Sequence, residues 1–150
     1  MIPQADADLG ERLKQFFTQA RQHGFARIVA IGTDSPTLPV AWVEQAFALL
    51  ENHEVVIGPA LDGGYYLIGA SKELPLFEAI PWSSSRVLAA TVERLQTGDA
   101  RLALLPPWYD VDTVDDWALL CGHVRAMRRA RIDPKAPRVE RLLSEDRGKT

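Results

Sequence analysis

The feature that most constrains the fold is an apolar, mostly β-branched run, Ile28-Val29-Ala30-Ile31, which stops at Gly32 and is followed by Asp34 and Pro36. An uninterrupted apolar run is typical of a strand buried on both faces, as in a sheet covered by helices on both sides. Pro36 cannot donate a ladder hydrogen bond, so it marks the end of the strand. Asp34 is therefore expected just beyond the carboxyl end of a central strand, where open α/β sheets bind ligands.

Helical and strand-like segments alternate along the rest of the chain, with residues 1–7 expected to be irregular. Asp8 and Thr113 are suited to cap the first and last helices, and Gly24 to end the first. The periodicity predicts helices over 9–23, 40–51, 84–97 and 114–130, and strands over 27–32, 55–58, 65–69 and 102–105. This order predicts an α/β fold with a mostly parallel sheet and flanking helices.

Length and charge indicate one domain with a basic extension. The chain has 150 residues, of which 47% are hydrophobic, enough for one domain with a normal core. Residues 1–124 carry 8 Lys/Arg against 16 Asp/Glu, a net charge of −8, whereas residues 125–150 carry 9 against 4, a net charge of +5. The second segment contains two prolines and charges of both signs, so we expect a helix end followed by a solvated tail.

Several classes of protein are disfavoured by the sequence. No stretch approaches the roughly 18 uninterrupted apolar residues that a membrane span needs, and the N-terminus lacks a secretory pattern. The single cysteine, Cys121, excludes an intrachain disulfide. The basic tail contains no aromatic residue for base stacking, so no nucleic-acid partner is expected. We therefore expect a cytoplasmic protein.

Three acidic sites follow strand-like segments: Asp34, Asp62 in Asp62-Gly63-Gly64, and Asp110-Val111-Asp112-Thr113. Asp34 can bind a hard cation such as magnesium together with substrate phosphates, or it can simply cap a turn. Both interpretations remain open for this residue. Three such sites at one sheet edge would form a divalent-metal and phosphate site.

The segment Asp62-Gly63-Gly64 also has two interpretations. Paired glycines let a ligand approach bare backbone amides, whereas Asp-Gly between two strands is a strong hairpin signal. Taken alone, the segment favours the hairpin. Asp110 and Asp112 alternate, so in an extended loop only one of them should face the site. We expect Asp110 to be the ligand and Thr113 the helix cap.

The remaining candidates are aromatic residues and histidines. Trp82 and Trp108 fall in predicted loops near the acidic sites, so they are the tryptophans that could contact a ligand. His23, His53 and His123 lie near helix ends or on a helix, and none has metal-ligand spacing with a cysteine or another histidine. The chain contains neither a Gly-x-Gly-x-x-Gly nor a Walker-type phosphate loop.

Together these motifs resemble a known family. Asp8–Arg12, Ile31–Pro36, Gly58–Ala60, Asp62–Gly69, Trp82-Ser83 and Asp110–Thr113 occur in an order and at a spacing similar to those of small bacterial GT-A-fold glycosyltransferases, including proteins linked to arsenosugar biosynthesis. That family is similar in turn to nucleotidyltransferases that build molybdenum-cofactor dinucleotides and to 2-phospholactate guanylyltransferases. The resemblance covers about residues 4–120 and implies a nucleotide-diphospho-sugar transferase-like sheet.

The resemblance also implies roles for individual residues. Asp34 and Asp112 would bind Mg²⁺ or Mn²⁺, and Asp62 and Asp110 would be catalytic. The substrate-binding residues would be Thr33, Ser35, Gly63, Gly64, Tyr65, Trp82 and Ser83. The implied activity is metal-dependent transfer of a sugar from a nucleotide sugar to a small-molecule acceptor.

One departure from the family pattern concerns the N-terminus. Family members begin with a strand and a nucleotide-binding loop, whereas here Met1 falls just before the Asp8–Arg12 motif. We therefore expect residues 1–124 to be a partial GT-A-like domain that lacks its first strand or strands. An exposed sheet edge would then pair with a second copy of the chain or with the missing N-terminal segment. The alternative functions are a nucleotidyltransferase and an inactive fragment that acts as an interaction module.

Overall fold

The computed structural model describes residues 8–96 and 98–146, so the predicted irregular segment 1–7 lies outside the described residues. The helices are α1 Leu9–Gln22, α2 Val40–Leu49, α3 Val87–Leu95, α4 Val114–Arg129 and α5 Pro137–Asp146. The strands are β1 Ile28–Ile31, β2 Val55–Pro59, β3 Tyr65–Ala70 and β4 Leu102–Leu104. The predicted α/β class is confirmed, and each predicted element is present: β2 and β3 are one residue longer than predicted, and the other elements are one to five residues shorter.

The four strands form one mixed sheet in the order β1-β3-β2-β4. β3 lies between β1 and β2 and is antiparallel to both, whereas β4 is parallel to β2. Consequently β1, β2 and β4 run in one direction and only β3 runs in the other. Three of the four strands are therefore parallel to one another, as expected for a mostly parallel sheet. Two of the three neighbouring strand pairs are nevertheless antiparallel, because a hairpin places β3 in the interior of the sheet.

Helices cover both faces of the sheet, as the apolar strands require. On one face, Phe17 of α1 and Leu95 of α3 pack against Ile28, Ile57 and Ile68. On the other face, Ala46 of α2 and Leu50, which caps its C-terminal end, pack with Val56, Leu67 and Ala103. Ile57 is fully buried, and burying a side chain of this size contributes about 2–3 kcal/mol.

The ends of α1 follow the sequence signals closely. The Asp8 carboxylate accepts a hydrogen bond from the Glu11 backbone N–H at 2.9 Å, so it caps the N-terminus. At the other end Gly24 has φ +86°. The Gly24 N–H donates to the Arg21 carbonyl and the Phe25 N–H to the Ala20 carbonyl, which is the Schellman arrangement.

The basic C-terminal segment is more ordered than its composition suggests. Instead of a solvated tail, the structure contains α5, which packs on α4 through a separate apolar cluster of Leu120, Val124, Ala136, Val139 and Leu143. Arg128 of α4 donates to the Glu140 carboxylate of α5 at 2.6 Å. The prediction of a tail was wrong because Val139 and Leu143, one helical turn apart, give this charged segment an apolar face. Among the described residues, no helix is long and apolar enough to cross a membrane.

Candidate functional site

An open cleft of about 760 Å³ lies beyond the carboxyl ends of β1 and β2. The segments that follow β1, β2 and β4 leave the sheet at this same edge because the three strands run in one direction. Nine of the eleven site residues that the sequence suggested line the cleft: Thr33, Asp34, Asp62, Gly64, Tyr65, Trp82, Ser83, Asp110 and Asp112. The structure therefore brings together residues from four separate segments of the chain.

Four carboxylates share this cleft, and Asp110 is the least exposed of them. Burial raises the pKa of Asp110 above its ordinary value, the hydrogen bond from Ser35 opposes that rise, and the charges of Asp62, Asp112 and Asp34 add to it. The carboxylates are thus close enough to repel one another. A concentration of negative charge of this kind favours a bound cation.

A metal fits this cleft only with ligands from outside the protein. Among the described residues, no group of three or more His, Cys, Asp or Glu side chains is arranged to hold an ion alone. Magnesium usually binds through one or two carboxylates, retains water and takes substrate phosphates as further ligands. The exposed carboxylates of Asp34 and Asp112 match that type of site, and they do not match a site in which the protein supplies every metal ligand.

The positions of three groups of residues differ from the simplest interpretation of the sequence. Asp110 and Asp112 both line the cleft, because the segment that contains them is irregular and the alternation of a strand does not apply. Ser35 is buried behind the cleft, where its hydroxyl donates to the Asp110 carboxylate at 2.5 Å. Gly63 does not line the cleft; it lies against the Ser85 backbone.

The segment Asp62-Gly63-Gly64 is a hairpin turn that also places Asp62 and Gly64 at the cleft. It joins the antiparallel pair β2 and β3, as the hairpin interpretation predicts. The Asp62 carboxylate accepts a hydrogen bond from the Gly64 N–H at 2.8 Å, and the Gly63 carbonyl accepts one from the Leu88 N–H at 2.9 Å. The turn is therefore anchored to the start of α3, which holds Asp62 at the cleft.

Two aromatic residues line the same cleft as the acidic residues. Trp82 and Tyr65 line the cleft and meet edge to face, with ring centroids 6.4 Å apart. Trp82 packs so closely on α1 that a Cβ at Gly10 would lie 2.3 Å from its indole nitrogen. The glycine of the Asp8–Arg12 motif therefore makes room for Trp82. Trp108 instead packs against Trp42 with ring centroids 4.8 Å apart and does not line the cleft.

Sequence reasoning missed several residues that line the cleft. They are Leu9, Ile31, Gly32, Tyr66, Ser84, Ser85 and Val87. Ser84 and Ser85 directly follow the Trp82-Ser83 motif, so extending that motif by two residues would have identified them. The apolar residues lie on helices and strands, where their side chains suggest ordinary core packing. His123 does not line the cleft, but its Nδ1 lies 2.8 Å from the hydroxyl of Tyr109, the residue before Asp110, and no sequence signal indicated this contact.

Comparisons with known proteins agree with this architecture. Residues 1–84 match the family described as "Uncharacterized protein conserved in bacteria (DUF2064)". A solved structure described as a "putative nucleotide-diphospho-sugar transferase" from Desulfovibrio desulfuricans G20 is 35% identical, with a TM-score of 0.80 over 95% of this chain. This chain spans 64% of that chain. No curated protein matches the sequence.

The family match covers more than half of the chain, and the structural match covers nearly all of it. These findings support the general resemblance to nucleotide-diphospho-sugar transferases, whereas the closer resemblance to arsenosugar-linked glycosyltransferases stays a prediction. The chain belongs to the bacterial DUF2064 family and has a nucleotide-diphospho-sugar transferase-like fold.

Proposed function

We propose that the cleft transfers a sugar from a nucleotide sugar to a small acceptor with the help of a divalent cation. The observation that supports this most directly is the group of four carboxylates at one sheet edge, in a cleft that Tyr65 and Trp82 also line. Carboxylates with a cation suit a diphosphate, and an aromatic side chain such as Trp82 suits the apolar face of a sugar or base ring. The similar Desulfovibrio chain, described as a "putative nucleotide-diphospho-sugar transferase", supports the choice of a nucleotide sugar as donor.

Each residue has a proposed role. Asp34 and Asp112 would bind Mg²⁺ or Mn²⁺, which when bound neutralises charge on the leaving nucleotide diphosphate. Asp110, the carboxylate whose pKa is raised, would accept the proton of the acceptor hydroxyl, and Asp62 would orient that hydroxyl. The remaining proposed substrate contacts are Thr33, Gly64, Tyr65, Trp82 and Ser83, which line the cleft. Ser35 and Gly63 do not line it, and they would support Asp110 and the hairpin turn instead.

A nucleotidyltransferase is the alternative on the same fold. The acidic edge would serve a nucleoside triphosphate equally well, because both donors present a charged phosphate chain to the carboxylates. The two reactions differ in the donor that is consumed and in the product. Release of pyrophosphate identifies the nucleotidyltransferase, and release of a nucleoside diphosphate or monophosphate identifies the glycosyltransferase.

An interaction module is supported by a different observation. Among the described strands, β1 pairs on one side only, so its outer edge has free backbone groups. Large exposed apolar side chains occur on β1, in the connection before it and on the helices α1 and α2 that pack against it: Leu9, Phe16, Phe25, Ile31, Val40 and Phe47. Apolar surface beside an unpaired strand edge favours pairing with another strand. Light scattering after size-exclusion chromatography tests this proposal: a monomer that captures no partner contradicts it.

The experiment that tests the transferase proposal is calorimetric titration of the chain with nucleotide sugars and nucleoside triphosphates, with and without magnesium or manganese. We expect metal-dependent binding of a nucleotide sugar that Asp34→Asn weakens at least tenfold. Asp99→Asn, an exposed carboxylate outside the cleft, is the matched control and should bind like the wild type. If Asp34→Asn binds donor and metal normally, the metal role of Asp34 is wrong. No binding to any donor by folded protein would contradict a donor site in this chain.

A further inference from the structure

Two buried hydroxyls connect the segment after β1 to the segment after β4. Ser35 is 8% exposed and Thr37 is 3% exposed. The Ser35 hydroxyl donates to Oδ1 of Asp110 at 2.5 Å. The Thr37 hydroxyl lies 2.8 Å from the hydroxyl of Tyr109, the residue before Asp110. We call this pair of contacts the loop clamp.

The backbone closes the same connection. The Val111 N–H donates to the Asp34 carbonyl at 2.9 Å, so the residue after Asp110 is bonded to the residue before Ser35. Tyr109 extends the clamp to α4, because its hydroxyl lies 2.8 Å from Nδ1 of His123. Two acidic residues that lie far apart in the sequence, Asp34 and Asp110, are thereby held at a defined separation at the edge of the cleft.

The burial of Ser35 has a physical consequence. A hydroxyl taken out of water is unfavourable unless it is hydrogen-bonded, so Ser35 depends on its carboxylate partner. Asp110 in turn has one oxygen engaged by Ser35, and within residues 8–96 and 98–146 no protein group donates a hydrogen bond to the other. Because Asp110 lines the cleft, that second oxygen is the one left for a ligand.

We propose that Ser35 is a positioning residue that holds one oxygen of Asp110 and leaves the other oxygen to a hydroxyl or cation in the cleft. This proposal deepens the proposed function and rests on it for the identity of the ligand. It differs from the role that the family resemblance implies for Ser35, which is direct contact with substrate. Ser35 instead acts through Asp110, from a place that substrate does not reach.

The competing explanation is that Ser35 only stabilises the loop. The two explanations differ in a double-mutant cycle with Asp110. If Ser35 acts through the carboxylate, Ser35→Ala should have almost no further effect once Asp110→Ala is present. If Ser35 only packs the loop, its substitution should have the same effect in both backgrounds. Ser35→Thr keeps the hydroxyl and should restore function in part.

The experiment applies this cycle to two measurements. The first is the dissociation constant for UDP-glucose and GDP-mannose with manganese, by calorimetry. The second is the exchange rate of the Val111 amide hydrogen by NMR, which needs no ligand and reports the connection to Asp34. Ser71→Ala is the matched control, because its hydroxyl donates to the His53 carbonyl and the residue does not line the cleft.

We expect Ser35→Ala to weaken binding about tenfold and to accelerate Val111 exchange by a similar factor, since a hydrogen bond to a charged group is lost. Wild-type binding and exchange in Ser35→Ala would overturn the proposal, and so would an undiminished effect in the Asp110→Ala background. If the wild type binds neither donor, the proposed function fails for these donors. The Val111 cycle then still tests whether Ser35 holds Asp110: an effect of Ser35→Ala that vanishes in the Asp110→Ala background supports that contact, and an undiminished effect overturns the proposal.

Discussion

The substitution Gly63→Ala tests whether the hairpin turn packs directly against the Ser85 backbone. Gly63 has φ +91°, a conformation that residues with a Cβ adopt at a cost. A Cβ at this position would also lie 2.2 Å from the Ser85 carbonyl oxygen and 2.7 Å from the Ser85 carbonyl carbon. These are backbone atoms, so no side-chain rotation relieves the overlap. The turn or the segment before α3 has to move.

The conformational cost and the packing cost of this substitution can be estimated separately as free energies. The left-handed conformation costs about 1–2 kcal/mol for alanine. Forcing an extra carbon into a filled space costs a further 1–3 kcal/mol or so. We therefore expect Gly63→Ala to lower the free energy of unfolding by about 3 kcal/mol. For a chain of this length that corresponds to a fall of roughly 6–12 °C in Tm.

Gly24→Ala supplies the matched control. Gly24 has φ +86°, but a Cβ there would meet nothing within 4 Å, so only the conformational cost of about 1–2 kcal/mol applies. Urea denaturation of both variants measures the difference between them. If Gly63→Ala is no less stable than Gly24→Ala, the contact between the turn and Ser85 does not exist in solution, and the anchoring of Asp62 has to be reconsidered.

Three further predictions concern stability. Hydrogen bonds from Arg101 hold the pKa of Glu54 at about 2, below its ordinary 4.5. The charged form of Glu54 therefore stabilises the fold above about pH 5. The difference in Tm between the wild type and Glu54→Gln should shrink as the pH falls from about 5 to 2, and a difference that stays constant would contradict this prediction. Leu143→Ala should cost about 2–4 kcal/mol in urea denaturation, because Leu143 is buried between α5 and α4; exposed Leu142 is the control. Thr113→Ala should cost about 1 kcal/mol in the same assay, because its side chain caps α4 by accepting from the Asp116 N–H; no loss would show that the cap is dispensable.

Much of the fold could be predicted because local signals agree with the final structure. The apolar runs at 28–31 and 55–58 are strands, and the caps at Asp8 and Thr113 begin helices. The clustering of Asp34, Asp62 and Asp110 also followed from their places beyond strand ends. These are properties of short segments, and tertiary contacts reinforce them.

The rest depends on contacts between distant residues. The position of β3 between β1 and β2 could not be read from its sequence, since a strand buried on both faces is apolar in either direction. The roles of Ser35 and Thr37 were hidden for the same reason: a buried hydroxyl becomes recognisable only when its partner, in a loop far along the chain, is known. For α5 a signal was present, because Pro137 is a favoured first residue of a helix.

The central hairpin also bears on the order in which the chain folds. Pro59 pairs with Tyr65 across a short turn, whereas Ile28 pairs with Ala70 and Val55 with Leu102, so the outer strands have to close long loops. Short-range pairs form at a lower entropic cost and therefore earlier. We expect β2 and β3 to form the nucleus on which β1 and β4 assemble. Asp62 would then reach its final turn before the other acidic residues join it, and one short segment would serve first as a folding nucleus and afterwards as part of the cleft.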